Sequence, residues 1–195
     1  MNSKVLAAFN SVVILVGYAS YNQSILFGKA KPSMAAWLLF GFLVLLNVKT
    51  YYEGSKKSLI KTALPAASGL ACIITTIVVI FKGGNFGKLD GLQWVILAFG
   101  IVASIVWFAF QKAEFANLIV IAAVAISFIP IYVGMYRGTV HETPLPWFIW
   151  SLAFTLGIAV VKLNWSEEPE KKKKYDIFYP VAMLALHLPV ALFAL

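Results

Sequence analysis

Charged residues are scarce in this sequence, and acidic residues especially so. Asp and Glu together number 8 of 195 residues, while 61% of the residues are hydrophobic and the mean hydropathy is +0.85. A typical soluble domain is about 25% charged and about 45–50% apolar. A soluble fold of this length could not bury so much apolar surface. The composition therefore predicts a protein embedded in lipid.

Cysteine and histidine are nearly absent as well, which limits the kinds of functional site that the chain can form. Cys72 is the single cysteine, so no internal disulfide can form. The two histidines, His141 in a loop and His187 in the last apolar stretch, are predicted at different depths and could not share a metal ion. No nucleophile–base pair, metal-ligand cluster or phosphate-binding loop is visible. We therefore expect neither enzyme activity nor a cofactor.

Seven stretches are apolar enough, and about long enough, to cross a bilayer as helices. The fourth and fifth are separated by only four residues, 111–114, which predicts a tight helical hairpin. The seven expected spans are Val5–Ser24, a stretch from after Pro32 to Lys49, Leu59–Phe81, Leu89–Phe110, Phe115–Tyr136, Pro144–Leu163 and Tyr175–Leu195.

The basic residues predict an orientation rather than a nucleic-acid surface. Eleven of the 16 Lys and Arg residues fall on one side of the predicted spans and five on the other. By the positive-inside rule, this places the N-terminus in the cytoplasm and the C-terminus outside. The charged loop at 167–174 is interpreted as a solvated loop or as a contact with anionic lipid headgroups.

The sequence also resembles itself. At a shift of 110 residues the first two spans match the fifth and sixth, and at a shift of 115 the third matches the seventh. The pairs at the first shift are Gly28/Gly138, Ser33/Thr143, Trp37/Trp147, Leu39/Ile149 and Phe40/Trp150. The pairs at the second shift are Pro65/Pro180, Ala67/Ala182 and Cys72/His187.

This self-similarity predicts an all-α transmembrane protein built from two three-helix repeats. The first bundle covers residues 1–85, a linker helix covers 86–112, and the second bundle covers 113–195. Because three is an odd number, the linker helix is needed for both halves to enter the membrane from the same side. The halves would then be parallel repeats, related by an axis along the membrane normal.

The segment Gly28-Lys29-Ala30-Lys31-Pro32 leading to Trp37, and its counterpart from Glu142 to Trp150, resemble small bacterial integral membrane proteins. The plan of three, one and three helices resembles the SWEET and PQ-loop superfamily, which includes vitamin transporters of the PnuC type. The chain contains no Pro-Gln dipeptide. Because SWEET-like proteins use prolines as flexible points, the resemblance implies hinge roles for Pro130 and Pro144.

Polar groups within the spans are the candidate binding residues, because an unsatisfied polar group is costly in hydrocarbon. His187 is expected near mid-bilayer, either lining a substrate path or bonded as a neutral ring to a neighbouring helix. Cys72, Thr75 and Thr76 would face it across the repeat axis.

Further polar candidates come from the first, second and fifth spans. Tyr18 and Asn22 share a helix face and could line a cavity or belong to an interfacial aromatic belt, and Ser127 has the same alternatives. Asn47, like Asn10, either forms an interhelical hydrogen bond or contacts the substrate.

Three tryptophans begin the paired helices. Trp37, Trp147 and Trp150 could anchor the helices at the interface, or form an aromatic wall that stacks on a ring-shaped solute.

We interpret the sequence as a transporter of a small neutral or weakly polar solute, working by facilitated diffusion and alternating access. A membrane scaffold, an accessory subunit or a channel are the alternatives. Membrane lipids and a small-molecule solute are the expected partners, and a homo-oligomer is compatible with the sequence. The expected location is the bacterial inner membrane.

Overall fold

The computed structural model describes residues 2–30, 34–82, 91–138, 142–165 and 170–195. These residues form seven helices and no strand. The helices are α1 Ser3–Leu26, α2 Met34–Gly54, α3 Leu59–Phe81, α4 Gly91–Phe110, α5 in two segments Ala113–Ser127 and Ile129–Tyr136, α6 Pro144–Leu163 and α7 Glu170–Phe193. The expected all-helical fold is confirmed.

Five of the helices are long and apolar enough to cross a membrane. They are α1, α3, α5, α6 and the part of α7 from Lys174 to Phe193. Large apolar side chains such as Phe9, Ile77 and Leu152 are exposed on the outer faces of the bundle, as expected of helices in lipid.

Local sequence signals determine several helix ends. The side chain of Asn2 caps α1 by accepting a hydrogen bond from the Lys4 amide at 2.9 Å, and Ser58 caps α3 through the Lys61 amide. The chain leaves α1 and α5 through Gly28 and Gly138, whose φ angles are 71° and 67°. Glycine adopts this left-handed conformation without steric cost, so both helices stop there.

The break in α5 lies at Phe128, two residues before Pro130. Proline has no N–H to donate to the carbonyl one turn earlier, so the helical ladder is interrupted at this point. Pro144, by contrast, is the first residue of α6. A proline there removes no helical hydrogen bond and introduces no kink. Of the two expected hinge prolines, only Pro130 therefore lies beside a helix break.

Helix packing brings together neighbours that are distant in sequence. In the first half of the chain α3 contacts both α1 and α2, and in the second half α7 contacts both α5 and α6. Between the halves, α1 packs against α6 and α2 packs against α5. Helix α4 packs on α5 and α2.

The contacts define two ends of the bundle. The lysine end is formed by the C-terminus of α2 and the N-termini of α3, α5 and α7, where Lys61 meets Asp176 and Asn47 meets Asn117. The tryptophan end is formed by the C-termini of α1 and α5 and the N-termini of α2 and α6, where Tyr21 meets Trp37.

Candidate functional site

A small cavity, the central cavity, lies where the first three helices meet the last three. Its volume is about 20 Å³, and a single water molecule needs about 10–15 Å³ of such space. The lining comes from α1, α2, α3, α5, α6 and α7. Its residues are Ile14, Tyr18, Phe40, Val44, Asn47, Ser68, Ile121, Val124, Trp150, Phe154, Tyr179, Met183 and His187.

His187 contributes an imidazole ring to the lining of the central cavity. Its Nδ1 lies 2.7 Å from the carbonyl oxygen of Met183, one turn earlier in α7. A carbonyl oxygen only accepts, so Nδ1 carries the hydrogen and Nε2 of the neutral ring is an acceptor. Four aromatic rings surround the imidazole, with centroid distances of 4.8 Å to Phe154, 5.0 Å to Phe128, 5.4 Å to Trp147 and 5.8 Å to Trp150.

Trp147 connects this aromatic cluster to the loop before α6. Its indole N–H donates to Oε2 of Glu142 at 3.1 Å, and its ring meets Trp150 edge to face at 5.0 Å. Burial raises the pKa of the Glu142 carboxyl above its ordinary value, while the hydrogen bond from Trp147 acts in the opposite direction. The carboxyl group thus holds the indole in one orientation at the tryptophan end.

Trp150 packs directly on the backbone of α1 at Gly17. A methyl group added at Gly17 would lie 2.5 Å from Cδ1 and 2.6 Å from Nε1 of the indole. Carbon atoms do not approach this closely, so the position requires glycine. The same indole ring lies 5.0 Å from the ring of Tyr18 and 5.5 Å from that of Tyr21. These ring contacts hold α1 against α6.

Tyr18 and Ser68 form the polar wall of the central cavity within the first half. Their hydroxyl groups are 3.0 Å apart, joining α1 to α3. Among the residues lining this cavity none is Asp, Glu, Lys or Arg. The cavity therefore offers hydroxyl, amide and imidazole groups but no formal charge.

An amide network joins α2 to α5 towards the lysine end. The Asn117 amide donates to Asn47 Oδ1 at 2.8 Å and to Thr50 Oγ1 at 3.0 Å, and all three residues are buried. Since these helices belong to different halves, the network is a polar contact between the halves. Asn47 also lines the central cavity.

A buried ion pair closes the lysine end. Lys61 Nζ lies 2.6 Å from Asp176 Oδ2, with side chains 3% and 0% exposed. The hydroxyl of Tyr51 donates to the backbone carbonyl of Asp176 at 2.8 Å. Helices α2, α3 and α7 are thereby joined at one point. We call the pair of Lys61 and Asp176 the latch.

The predicted binding residues fall into two groups. Tyr18, Asn47, Trp150 and His187 line the central cavity, and Trp147 contacts two of them.

The other predicted residues lie elsewhere. Cys72 and Thr75 are buried in α3 outside the lining, where Ser68 takes the place expected of Cys72. Trp37 packs on Tyr21 and Phe40. Asn22 is half-buried near the end of α1, and Ser127 donates to the Val124 carbonyl within α5. His141 lies outside the described residues.

Sequence reasoning missed the latch. It used Lys61 only as one of the eleven basic residues on one side of the predicted spans, and it interpreted the acidic residues as lying in loops or at span ends. Asp176 is indeed near the start of α7, yet it is completely buried. A signal was present in the sequence, because Lys61 and Asp176 align with each other at the shift of 115 residues that relates the third and seventh spans.

Comparison of the chain with known protein families, curated proteins and solved structures finds no match. Among the described residues, no group of three or more His, Cys, Asp or Glu side chains could hold a metal ion.

Proposed function

We propose that this protein is a transporter that carries a small neutral or weakly polar solute across the membrane by alternating access. Residues 1–85 and 113–195 form two similar bundles, residues 86–112 link them, and the central cavity is the occluded binding site. This arrangement is SWEET-like. The observation that carries the proposal is an uncharged, largely apolar cavity with hydroxyl, amide and imidazole groups in its wall, between two halves that contact each other at both ends.

The composition of the cavity lining supports the two-bundle arrangement. The shifts of 110 and 115 residues relate lining residues of one half to lining residues of the other. The related pairs are Ile14/Val124, Phe40/Trp150, Val44/Phe154 and Ser68/Met183. In two parallel repeats, residues at equivalent positions surround the axis between the repeats, and these pairs lie around the central cavity.

The helix contacts and turns are consistent with the same arrangement. The contact of α1 with α6 corresponds to that of α5 with α2 when the halves are exchanged. Gly28 and Gly138, which align at the shift of 110, both have positive φ at a helix end. Lys61 and Asp176, which align at the shift of 115, contact each other. A residue that touches its own counterpart lies on the repeat axis.

The size of the cavity defines the state of the proposed cycle. At about 20 Å³ it has room for about one water molecule and none for an organic solute. The latch and the amide network close the lysine end, and the rings around His187 close the tryptophan end. Transport would require the halves to separate at one end at a time.

The chemistry of the lining indicates the solute class. No charged side chain would neutralise an ionic solute, and burying an unpaired charge is expensive. His187 Nε2 offers an acceptor, Asn47 and Tyr18 offer polar groups, and the aromatic rings offer apolar surface. A neutral solute with both hydrogen-bonding and apolar faces fits this lining.

The test is solute uptake into proteoliposomes containing the purified protein. Radiolabelled glucose, glycerol and uridine serve as neutral probes, and glutamate serves as a charged one. We expect saturable uptake of at least one neutral probe, lowered about tenfold or more in His187→Ala and Trp147→Ala, with no uptake of glutamate. Leu152→Ala, on the exposed face of α6, is the matched control and should keep wild-type uptake.

A second measurement needs no substrate. Spin labels on cysteines introduced at Lys49 and Lys112, in a Cys72→Ser background, report the separation between α2 and the start of α5 by pulsed electron resonance. We expect two distance populations, and the wider one should grow in Asp176→Asn. A single unchanged distance, together with leak-level flux of every probe, would support a scaffold and contradict the transporter.

A further inference from the structure

Asn10 lies within α1. Its side chain makes no hydrogen bond to any of the described residues. The residue is 1% exposed, and neither Oδ1 nor Nδ2 has a partner among them. An amide buried without hydrogen bonds costs about 1–3 kcal/mol as judged from protein mutations, and lipid chains offer no replacement. The other buried asparagines, Asn47 and Asn117, bond to each other, and of their atoms only Asn117 Oδ1 has no partner among the described residues. Asn10 therefore requires another kind of partner.

Asn10 lines a second cavity, which we call the proline cavity. It lies between α1, α2, α3, α6 and α7, beside Pro65 and Pro180, two of the prolines that lie within helices. Its volume is about 10 Å³, close to the space of a single water molecule. The wall includes Tyr51 and Lys61, so the proline cavity lies directly beside the latch.

Gly157 forms the α6 side of the proline cavity, where the backbone is closely approached. A methyl group added there would lie 2.6 Å from Leu64 Cδ2 and 3.5 Å from Asn10 Nδ2. A side chain at this position would collide with Leu64 and take up space next to the amide. The proline cavity combines space close to that of one water molecule with an unpartnered donor and acceptor, as a buried water site requires.

We propose that Asn10 binds a single buried water molecule in the proline cavity. Water fits because it can accept from Nδ2 and donate to Oδ1, satisfying both orphan atoms at once. A metal cation fits less well, because the Lys61 side chain lines the same cavity and like charges repel in a medium of low dielectric constant.

The position of this water gives it a role in opening the latch, a role that rests on the proposed transport function. Separating Lys61 from Asp176 exposes two charges, which is costly unless water replaces the lost contact. A water molecule held by Asn10 is in place to hydrate the ammonium group as α3 and α7 move apart. Asn10 is then a positioning residue for the latch.

The water itself is tested by magic-angle-spinning NMR of the full chain in lipid bilayers, with asparagine side chains labelled with ¹⁵N. We expect a cross-peak between bound water and the Asn10 side-chain amide, identified by its loss in Asn10→Leu. The Nδ2 group of Asn117 donates to Asn47 and Thr50, so its cross-peak to water should be weaker than that of Asn10 and is the internal comparison. Gly157→Ala keeps Asn10 but fills the cavity, and it should remove the cross-peak as well.

The thermal midpoint of unfolding gives an independent readout. If Asn10 binds water, Asn10→Leu removes satisfied hydrogen bonds, and the midpoint should fall by about 2–6 °C. If the site is dry, the same variant removes an unsatisfied amide and the midpoint should rise. An Asn10 amide without a water cross-peak in the wild type overturns the proposal, even where Asn10→Leu fails to fold. Neither readout depends on transport. The proposed water site can therefore be contradicted while the proposed transport function holds, and the transport function can be contradicted while the water site holds.

Discussion

The ammonium group of Lys61 lies 2.6 Å from the carboxylate of Asp176, at a point from which solvent is excluded. The two residues are 115 positions apart, the shift at which their helices align. The pair therefore joins α3 to α7 across the junction of the halves, directly beside the proline cavity.

Replacing only one residue of the latch should lower the stability of the protein more than replacing both, because the remaining charge stays buried. Lys61→Met leaves a buried carboxylate and Asp176→Leu leaves a buried ammonium, and each should cost about 3–5 kcal/mol of stability. The double variant should cost clearly less than the sum of the two. Chemical unfolding in detergent measures this cycle. Lys49→Met, which removes an exposed ion pair with Glu53 at 2.8 Å, is the control and should cost about 1 kcal/mol or less. Additive losses would mean that Lys61 and Asp176 act independently.

A side chain at Gly17 should displace Trp150. Gly17→Ala places a methyl group within 2.6 Å of the indole, and overpacking of this kind costs about 1–3 kcal/mol. We expect a lower thermal midpoint and a shift in the near-ultraviolet circular dichroism of the tryptophans. Gly41→Ala, whose added methyl would lie 3.5 Å from Thr76 Oγ1, is an ordinary contact and serves as the matched control. Equal midpoints for the two variants would contradict the close approach.

The amide network should show coupling between α2 and α5. Asn117→Leu removes the amide that donates to Asn47 and Thr50. The Asn47 oxygen then lacks this donor, and the free energy of unfolding should fall by about 1–3 kcal/mol. Adding Asn47→Leu should cost little more, because its partner is already gone. A double-mutant cycle measured by unfolding in detergent checks this. A coupling energy near zero would mean that the two helices are held by apolar packing alone.

Glu142 should make stability depend on pH at the tryptophan end. Its pKa is raised on folding, so the folded protein binds this proton more tightly than the unfolded chain does. Stability then falls as pH rises from the ordinary to the raised pKa of the carboxyl. Glu142→Gln cannot titrate but still accepts from Trp147, so it should be more stable than the wild type at neutral pH. This advantage should vanish below the ordinary pKa.

Trp147→Phe provides the companion measurement for this carboxyl group. The variant removes the indole donor that lowers the pKa of Glu142. The loss of stability with rising pH should therefore extend to higher pH than in the wild type. Thermal midpoints across a pH series measure both variants. Parallel curves for wild type, Glu142→Gln and Trp147→Phe would contradict a titrating Glu142.

Much of the fold could be predicted because it depends on local composition. Apolar stretches of about 20 residues form the helices, and Gly28 and Gly138 end α1 and α5 near the expected places. His187, Trp147 and Trp150 were predicted separately as candidate binding residues, and only the structure shows that their rings contact one another. Cys72 was expected opposite His187, but helix rotation directs Ser68 rather than Cys72 into the lining.

The sequence by itself determined the membrane class, the helices and their order, because hydrophobic length and helix-breaking residues act within one segment. Only the tertiary structure decided which polar residues meet. Lys61 resembles a loop lysine and Asp176 resembles a residue at a span end until α3 and α7 pack together and exclude water from both. The burial of Asn10 depends equally on the glycine that faces it from α6. Ionic and amide contacts act at a few ångströms, so they depend on helix rotation and packing that no single segment specifies.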